Sequence, residues 1–158
     1  MSTNPFLPST CPNPAAIAAI PSDCSFYTDC LEATYECGSS GYPIGYGLKY
    51  CNSFLNNRAS FSPAGQNWIN GTLTCLKKAL VPAVKDSQGI TCNDVKTTAF
   101  DSHVDCYIDN GFCDLAFDYM HPGQMTEFVK DLMSVYNIRD FASFKAIQQV
   151  AIMFGKCI

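Results

Sequence analysis

Apolar residues recur along the chain at three- and four-residue steps, the spacing of one face of an α-helix, and no stretch settles into the alternation of a strand. Residues 1–21 are the exception. They are rich in Pro, Ser and Thr and read as an extended arm with little to bury, carrying one helical turn at Ala15 to Ile20. From Ser22, an N-cap candidate, the residues Cys24, Tyr27, Leu31 and Tyr35 predict a helix over about 23–36. Gly38 to Pro43 is a loop by composition, and Leu48, Cys51, Phe54 and Leu55 begin another apolar face. Ser62-Pro63 pairs a cap with a proline at the first helical position and opens the clearest helix, striped by Trp68, Ile69, Leu73, Cys75, Leu76, Ala79 and Leu80. Pro82 or the Asp86 to Gly89 loop ends it.

Asn93 is the expected cap of the next helix, whose Val95, Ala99, Phe100, His103, Cys106 and Tyr107 keep helical spacing as far as the Asp109-Asn110-Gly111 stop. Cys113 to Tyr119 predicts a short helix, and His121-Pro122-Gly123 breaks the chain. Two amphipathic helices follow, one on Met125, Phe128, Val129, Leu132, Met133 and Tyr136, the other on Phe141, Phe144, Ile147, Val150, Ala151 and Phe154. The expected fold is all-α, a bundle of five to seven short helices forming one domain over 22–158 behind the 1–21 arm.

Composition adds the reason such short helices hold together. Of 158 residues only 15% are charged, against about 25% in ordinary domains, while ten are cysteine. Cys11, Cys24, Cys30, Cys37, Cys51, Cys75, Cys92, Cys106, Cys113 and Cys157 contain no C-x-x-C and are accompanied by only two histidines, which argues against zinc. A disulfide framework is the better reading, and with it an oxidising, extracellular setting. The start, Met1-Ser2-Thr3-Asn4-Pro5, lacks the basic flank and apolar stretch of a leader, so a mature chain is expected. Asn70-Gly71-Thr72 is the one N-x-S/T sequon and makes Asn70 the candidate glycosylation site. A net charge of −4 without a Lys/Arg cluster argues against nucleic acid and anionic membrane as partners. No apolar run approaches the roughly 20 residues of a membrane span.

Catalytic templates fail one by one. His103-Val104-Asp105-Cys106-Tyr107 is similar to the helical H-D-x-C-Y of secreted phospholipases A2, and Tyr35 to Gly41 to their glycine-rich loop, but Val104 stands where calcium needs a carboxylate. G-x-S-x-G, H-E-x-x-H and the P-loop are absent, and paired cysteines leave no thiolate. Asp114/Asp118 and Glu127/Asp131 are carboxylates at four-residue spacing, read as solvated surface. No catalytic, metal-ligating or cofactor-binding residue is expected.

Read with their neighbours, the cysteines resemble those of the stanniocalcin family. The first half is carried by Cys24-x5-Cys30-Leu31-Glu32, Cys37, Tyr50-Cys51-x-Ser53-Phe54-Leu55, Phe61-x3-Gly65-x2-Trp68 and Leu73-x-Cys75. Cys92, Cys106-Tyr107, Cys113 and Cys157 carry the second. Spacing alone leaves on the order of a thousand connectivities. The resemblance implies one of them: Cys11 to Cys30, Cys24 to Cys51, Cys37 to Cys92, Cys75 to Cys106 and Cys113 to Cys157. It further implies a secreted, non-enzymatic glycoprotein that binds another extracellular protein, in hormone-like signalling or protease regulation.

The family's extra cysteine for linking two chains has no counterpart after Cys157, so no interchain disulfide is expected, and any homo-oligomer would be non-covalent. The expected contact surfaces are the arm from Ser2 to Thr10 and the Tyr42-Pro43-Ile44-Gly45-Tyr46 loop. Two alternatives stay open. One is a self-assembling matrix protein, which the low charge and the Phe6-Leu7 pair would suit. The other is a lipid carrier or degenerate phospholipase A2-like protein, its lipid lying between the last two helices.

Overall fold

The computed structural model describes residues 11–136 and 144–157, all helix, turn and loop with no strand among them. The Ser2 to Thr10 surface and Phe141 lie outside the described residues. Helix α1, Pro14–Ala18, starts on Asn13, whose Oδ1 accepts from the Ala16 N–H at 3.2 Å, with proline in the first turn. It packs on the helices that follow, and Cys11 and Ala18 have no exposed surface. The expectation that this stretch has little to bury is therefore corrected over 11–21. Its anchor is Lys77, fully buried, which donates from Nζ to the carbonyls of Ile20, Pro21 (3.5 Å) and Asp23 (3.0 Å). Burial lowers the Lys77 pKa to about 8, opposed by the nearby Asp23 carboxylate.

Helix α2 is wound wide as a π-helix over Phe26–Glu32 and tightens to α over Ala33–Tyr35. It begins three residues later than Ser22 predicts, because Asp23 Oδ1 takes the Ser25 N–H at 2.9 Å and holds the chain in a turn first. Glu32 receives the N–H groups of Cys37 (3.2 Å) and Gly38 (2.8 Å), which pins the reversal that follows. Helix α3 has the same construction, π-wound over Pro43–Leu48 and α-helical over Lys49–Asn57, and runs into a 3₁₀ turn at Arg58–Ser60. The two π-wound segments pack together where Gly47 has no side chain. A Cβ there would sit 2.3 Å from Cδ1 of Tyr27, so only glycine lets the ring reach the backbone.

Helix α4, Pro63–Lys78, opens on Ser62, whose Oγ accepts from the Gly65 N–H at 3.1 Å. Pro82 does more than stop it, since its fixed φ suits the first turn of a new short helix, α5, Val81–Lys85. Helix α6 spans Cys92–Asp109. Its cap is Thr91 rather than the expected Asn93, because Thr91 and Asp94 exchange a reciprocal capping box. Helix α7 is Phe112–Ala116, shorter than expected, and the backbone turns extended at Phe117. Helix α8, Glu127–Val135, is capped by Thr126 Oγ1 at 3.3 Å from the Val129 N–H, and α9 is Phe144–Cys157.

Trp68 on α4 lies at the centre of the core, 1% exposed, with its ring centroid 5.0 Å from those of Tyr107 and Phe128 and 5.8 Å from that of Phe54. Helix α9 lies on α6, and α8 on α3 and α7. Five disulfides staple these elements. Cys11–Cys30 ties the segment before α1 to α2, Cys24–Cys51 ties the start of α2 to α3, and Cys37–Cys92 ties the loop after α2 to the head of α6. Cys75–Cys106 joins α4 to α6 and Cys113–Cys157 joins α7 to the end of α9.

Candidate functional site

The helices leave a cavity of about 380 Å³ between them, bounded by α2, α3, α4, α6, α8 and α9. Its walls are aromatic and aliphatic, and no lysine, arginine, aspartate or glutamate lines it among the described residues. A small polar cluster sits in one wall. His103 Nε2 on α6 lies 3.4 Å from the Tyr42 hydroxyl, and Gln149 on α9 hydrogen-bonds His103 while its Nε2 donates to the Phe100 carbonyl. The Tyr107 and Tyr136 hydroxyls form a second pair.

Burial keeps all of these groups neutral. It drives the His103 pKa down from 6.5 to about 4, opposed only in part by the Gln149 hydrogen bond, and the residue lines the cavity. It pushes Tyr107 up to about 12 and raises Tyr42 and Tyr136 well above the usual phenol range. The lining is almost wholly apolar, so leaving it in contact with water forgoes the gain of burying it. Water is a poor filling, because each buried water needs about two to four polar partners. The arrangement therefore suits an apolar guest with one neutral polar end.

A measurable consequence follows from His103. Its folded pKa lies below the unfolded value, so the folded state binds fewer protons between the two, and stability is lost as pH falls from about 6.5 towards 4. The shift corresponds to about 3 kcal/mol. The groups facing the ring from α3, α6 and α9 are Tyr42, Tyr107 and Gln149, none of which ionises in this range. Urea unfolding at about pH 7 and about pH 4.5 should show that loss in the native chain and a clearly smaller one in His103→Phe. Equal losses would place the acid sensitivity elsewhere.

The phospholipase-like run of α6 is laid out differently from its sequence spacing. His103 faces the cavity and Val104 is buried, whereas Asp105 is exposed and receives Lys156 Nζ at 3.2 Å. The Tyr42 to Tyr46 segment is not the exposed loop expected. Tyr42 and Pro43 are buried, the rest is half-buried, and the Tyr46 ring packs against Phe100. Asn70 sits half-buried in the middle of α4, its Oδ1 accepting from Arg58 Nε at 3.1 Å, and Thr72 of the same sequon is buried. No group of His, Cys, Asp and Glu able to hold a metal occurs among the described residues. None of their helices is long and apolar enough to cross a membrane.

The most exposed large apolar side chains among the described residues lie elsewhere, in the loop between α7 and α8, where Met120 is 84% and Tyr119 67% exposed. Met125, Met133 and Phe154 are exposed as well and line the cavity at its mouth. The loop has a fixed shape. Asp118 accepts from the Met120 N–H at 3.0 Å and bonds His121 Nδ1 at 2.9 Å, and the Tyr119 hydroxyl donates to the Cys157 carbonyl at 3.4 Å.

The sequence model of the stanniocalcin family matches residues 16–145, well over half of the chain. The protein belongs to the stanniocalcin family. No curated protein and no solved structure matches it. The stanniocalcin match covers the three middle bridges entirely and one end of each outer one, since Cys11 and Cys157 fall just beyond it. At family level the assignment is to secreted, hormone-like glycoproteins.

Proposed function

We propose that this stanniocalcin-family chain is a secreted, non-enzymatic factor that acts by binding another extracellular protein through the loop between α7 and α8. The observation that carries the reading is the pair Tyr119 and Met120, two large apolar side chains held out in solvent by a pinned turn. Ordered aromatic and methionine side chains on a surface are the usual anchors of protein interfaces. Family membership supports the extracellular, hormone-like setting. The five bridges are its proposed covalent frame, and a glycan on Asn70, its proposed acceptor, requires the Arg58 contact to open.

Cross-linking in native extracellular fluid tests the face. A protein captured by the native chain should be lost at least about tenfold from Tyr119→Ser/Met120→Glu, a surface variant whose circular dichroism should be unchanged. Equal capture by both would move the binding site off this loop. If the captured partner is a second copy of the chain, sedimentation should show association that depends on concentration and is abolished in the variant.

A further inference from the structure

The cavity is separate from that reading and does not depend on it. We infer that it binds a neutral lipid bearing a single hydroxyl, with the hydrocarbon body between α3, α6, α8 and α9 and the hydroxyl on the His103, Tyr42 and Gln149 cluster. Its volume, about 380 Å³, falls within the range of small-molecule sites, about 300–1,000 Å³, which are likewise mostly apolar with a few placed polar groups. The walls contribute rings and branched chains such as Phe54, Leu73, Leu76 and Leu132, which offer a hydrocarbon continuous contact.

The head group follows from charge. A carboxylate or phosphate would enter a space lined by no lysine or arginine among the described residues, and an uncompensated buried charge is strongly disfavoured. A hydroxyl meets better partners. The neutral His103 ring and the Tyr42 hydroxyl lie 3.4 Å apart in the cavity wall, and a guest hydroxyl beside them can both donate and accept. Entry is through Met125, Met133 and Phe154, which line the cavity and are also exposed, and methionine adapts readily to a passing ligand.

The test uses the full, delipidated protein with 1-tetradecanol, cholesterol and tetradecanoate as probes, read by native mass spectrometry and by competition. One equivalent of tetradecanol or cholesterol should bind, and which of the two does so distinguishes a straight-chain from a fused-ring guest. Tetradecanoate should bind at least about tenfold more weakly near neutral pH. Met133→Trp, at the exposed mouth, should fold normally and weaken the alcohol about tenfold or more. His103→Phe should weaken the alcohol while leaving tetradecane unaffected. Absence of an adduct with both alcohols, equal binding of tetradecanoate, or unchanged affinity in Met133→Trp would each overturn the assignment.

Discussion

Trp68→Ala is expected to lower the free energy of unfolding by about 3–5 kcal/mol, a large part of the roughly 5–15 kcal/mol that a domain possesses. The side chain is almost wholly buried and its ring touches Phe54, Tyr107, Phe112 and Phe128, which belong to four different helices. Alanine would remove all four contacts at once. The neighbours cannot close over the gap, because Cys75–Cys106 holds α4 and α6 at a fixed separation and Cys113–Cys157 holds α7 to α9. The indole also donates from Nε1 to the Tyr107 carbonyl at 3.1 Å. Trp68→Phe keeps much of the packing and gives up that bond, so its cost should be smaller, with about 1 kcal/mol of it from the bond. Far-UV circular dichroism in urea is the appropriate readout, because Trp68 is the sole tryptophan and its removal abolishes tryptophan fluorescence. An alanine variant within about 1 kcal/mol of the native chain would mean that Trp68 is not the centre of the core.

Helices α4 and α6 could be read from the sequence because both run long enough for a three- and four-residue stripe to repeat, and both begin with strong caps. The cap of α6 lies two residues before Asn93, for a reason visible in the residues themselves. Asn93 competes with Thr91, and Thr91 wins because Asp94 completes the reciprocal bond from its third helical position. The π-wound start of α3 was hidden in a different way. Pro43, Gly45 and Gly47 read as turn residues, and a wide helix does not repeat at 3.6 residues, so the segment looked like an exposed loop although Tyr42 and Gly47 are buried in it.

The cavity had no sequence signal of its own. Tyr42, His103 and Gln149 lie on three elements far apart in the chain; the packing of α9 on α6 brings Gln149 to His103, and the ring contacts of Tyr42 with Phe100 and His103 bring the third. Met125 and Met133 read in the sequence as part of a core stripe. They sit instead where that stripe runs out into solvent, at the mouth. The N-terminal segment has the composition of an arm. What makes it core is the long-range hold of Lys77 on the Ile20, Pro21 and Asp23 carbonyls and the bridge from Cys11 to Cys30.

Replacing both Cys37 and Cys92 by alanine should cost about 4 kcal/mol, more than the equivalent change at Cys11 and Cys30, for which about 3 kcal/mol is expected. The difference comes from the unfolded chain. The first bridge spans 55 residues of sequence and the second 19, and the entropy withheld from the unfolded state grows with the logarithm of that span. Cys37 and Cys92 are also half-buried, so their removal opens little core, whereas Cys11 and Cys30 have no exposed surface. The larger loss at the less buried pair is thus a result that burial alone would not predict. A drop of about 4 kcal/mol should lower the melting temperature by roughly 10 °C in a chain of this size. Peptide mapping of the native chain without reduction must accompany the comparison and recover a peptide pair linked through Cys37 and Cys92. Linkage of Cys37 to any other cysteine would remove the staple between the α2 reversal and the head of α6. A smaller cost for the longer loop would instead show that these bridges act through native-state packing rather than through the unfolded chain.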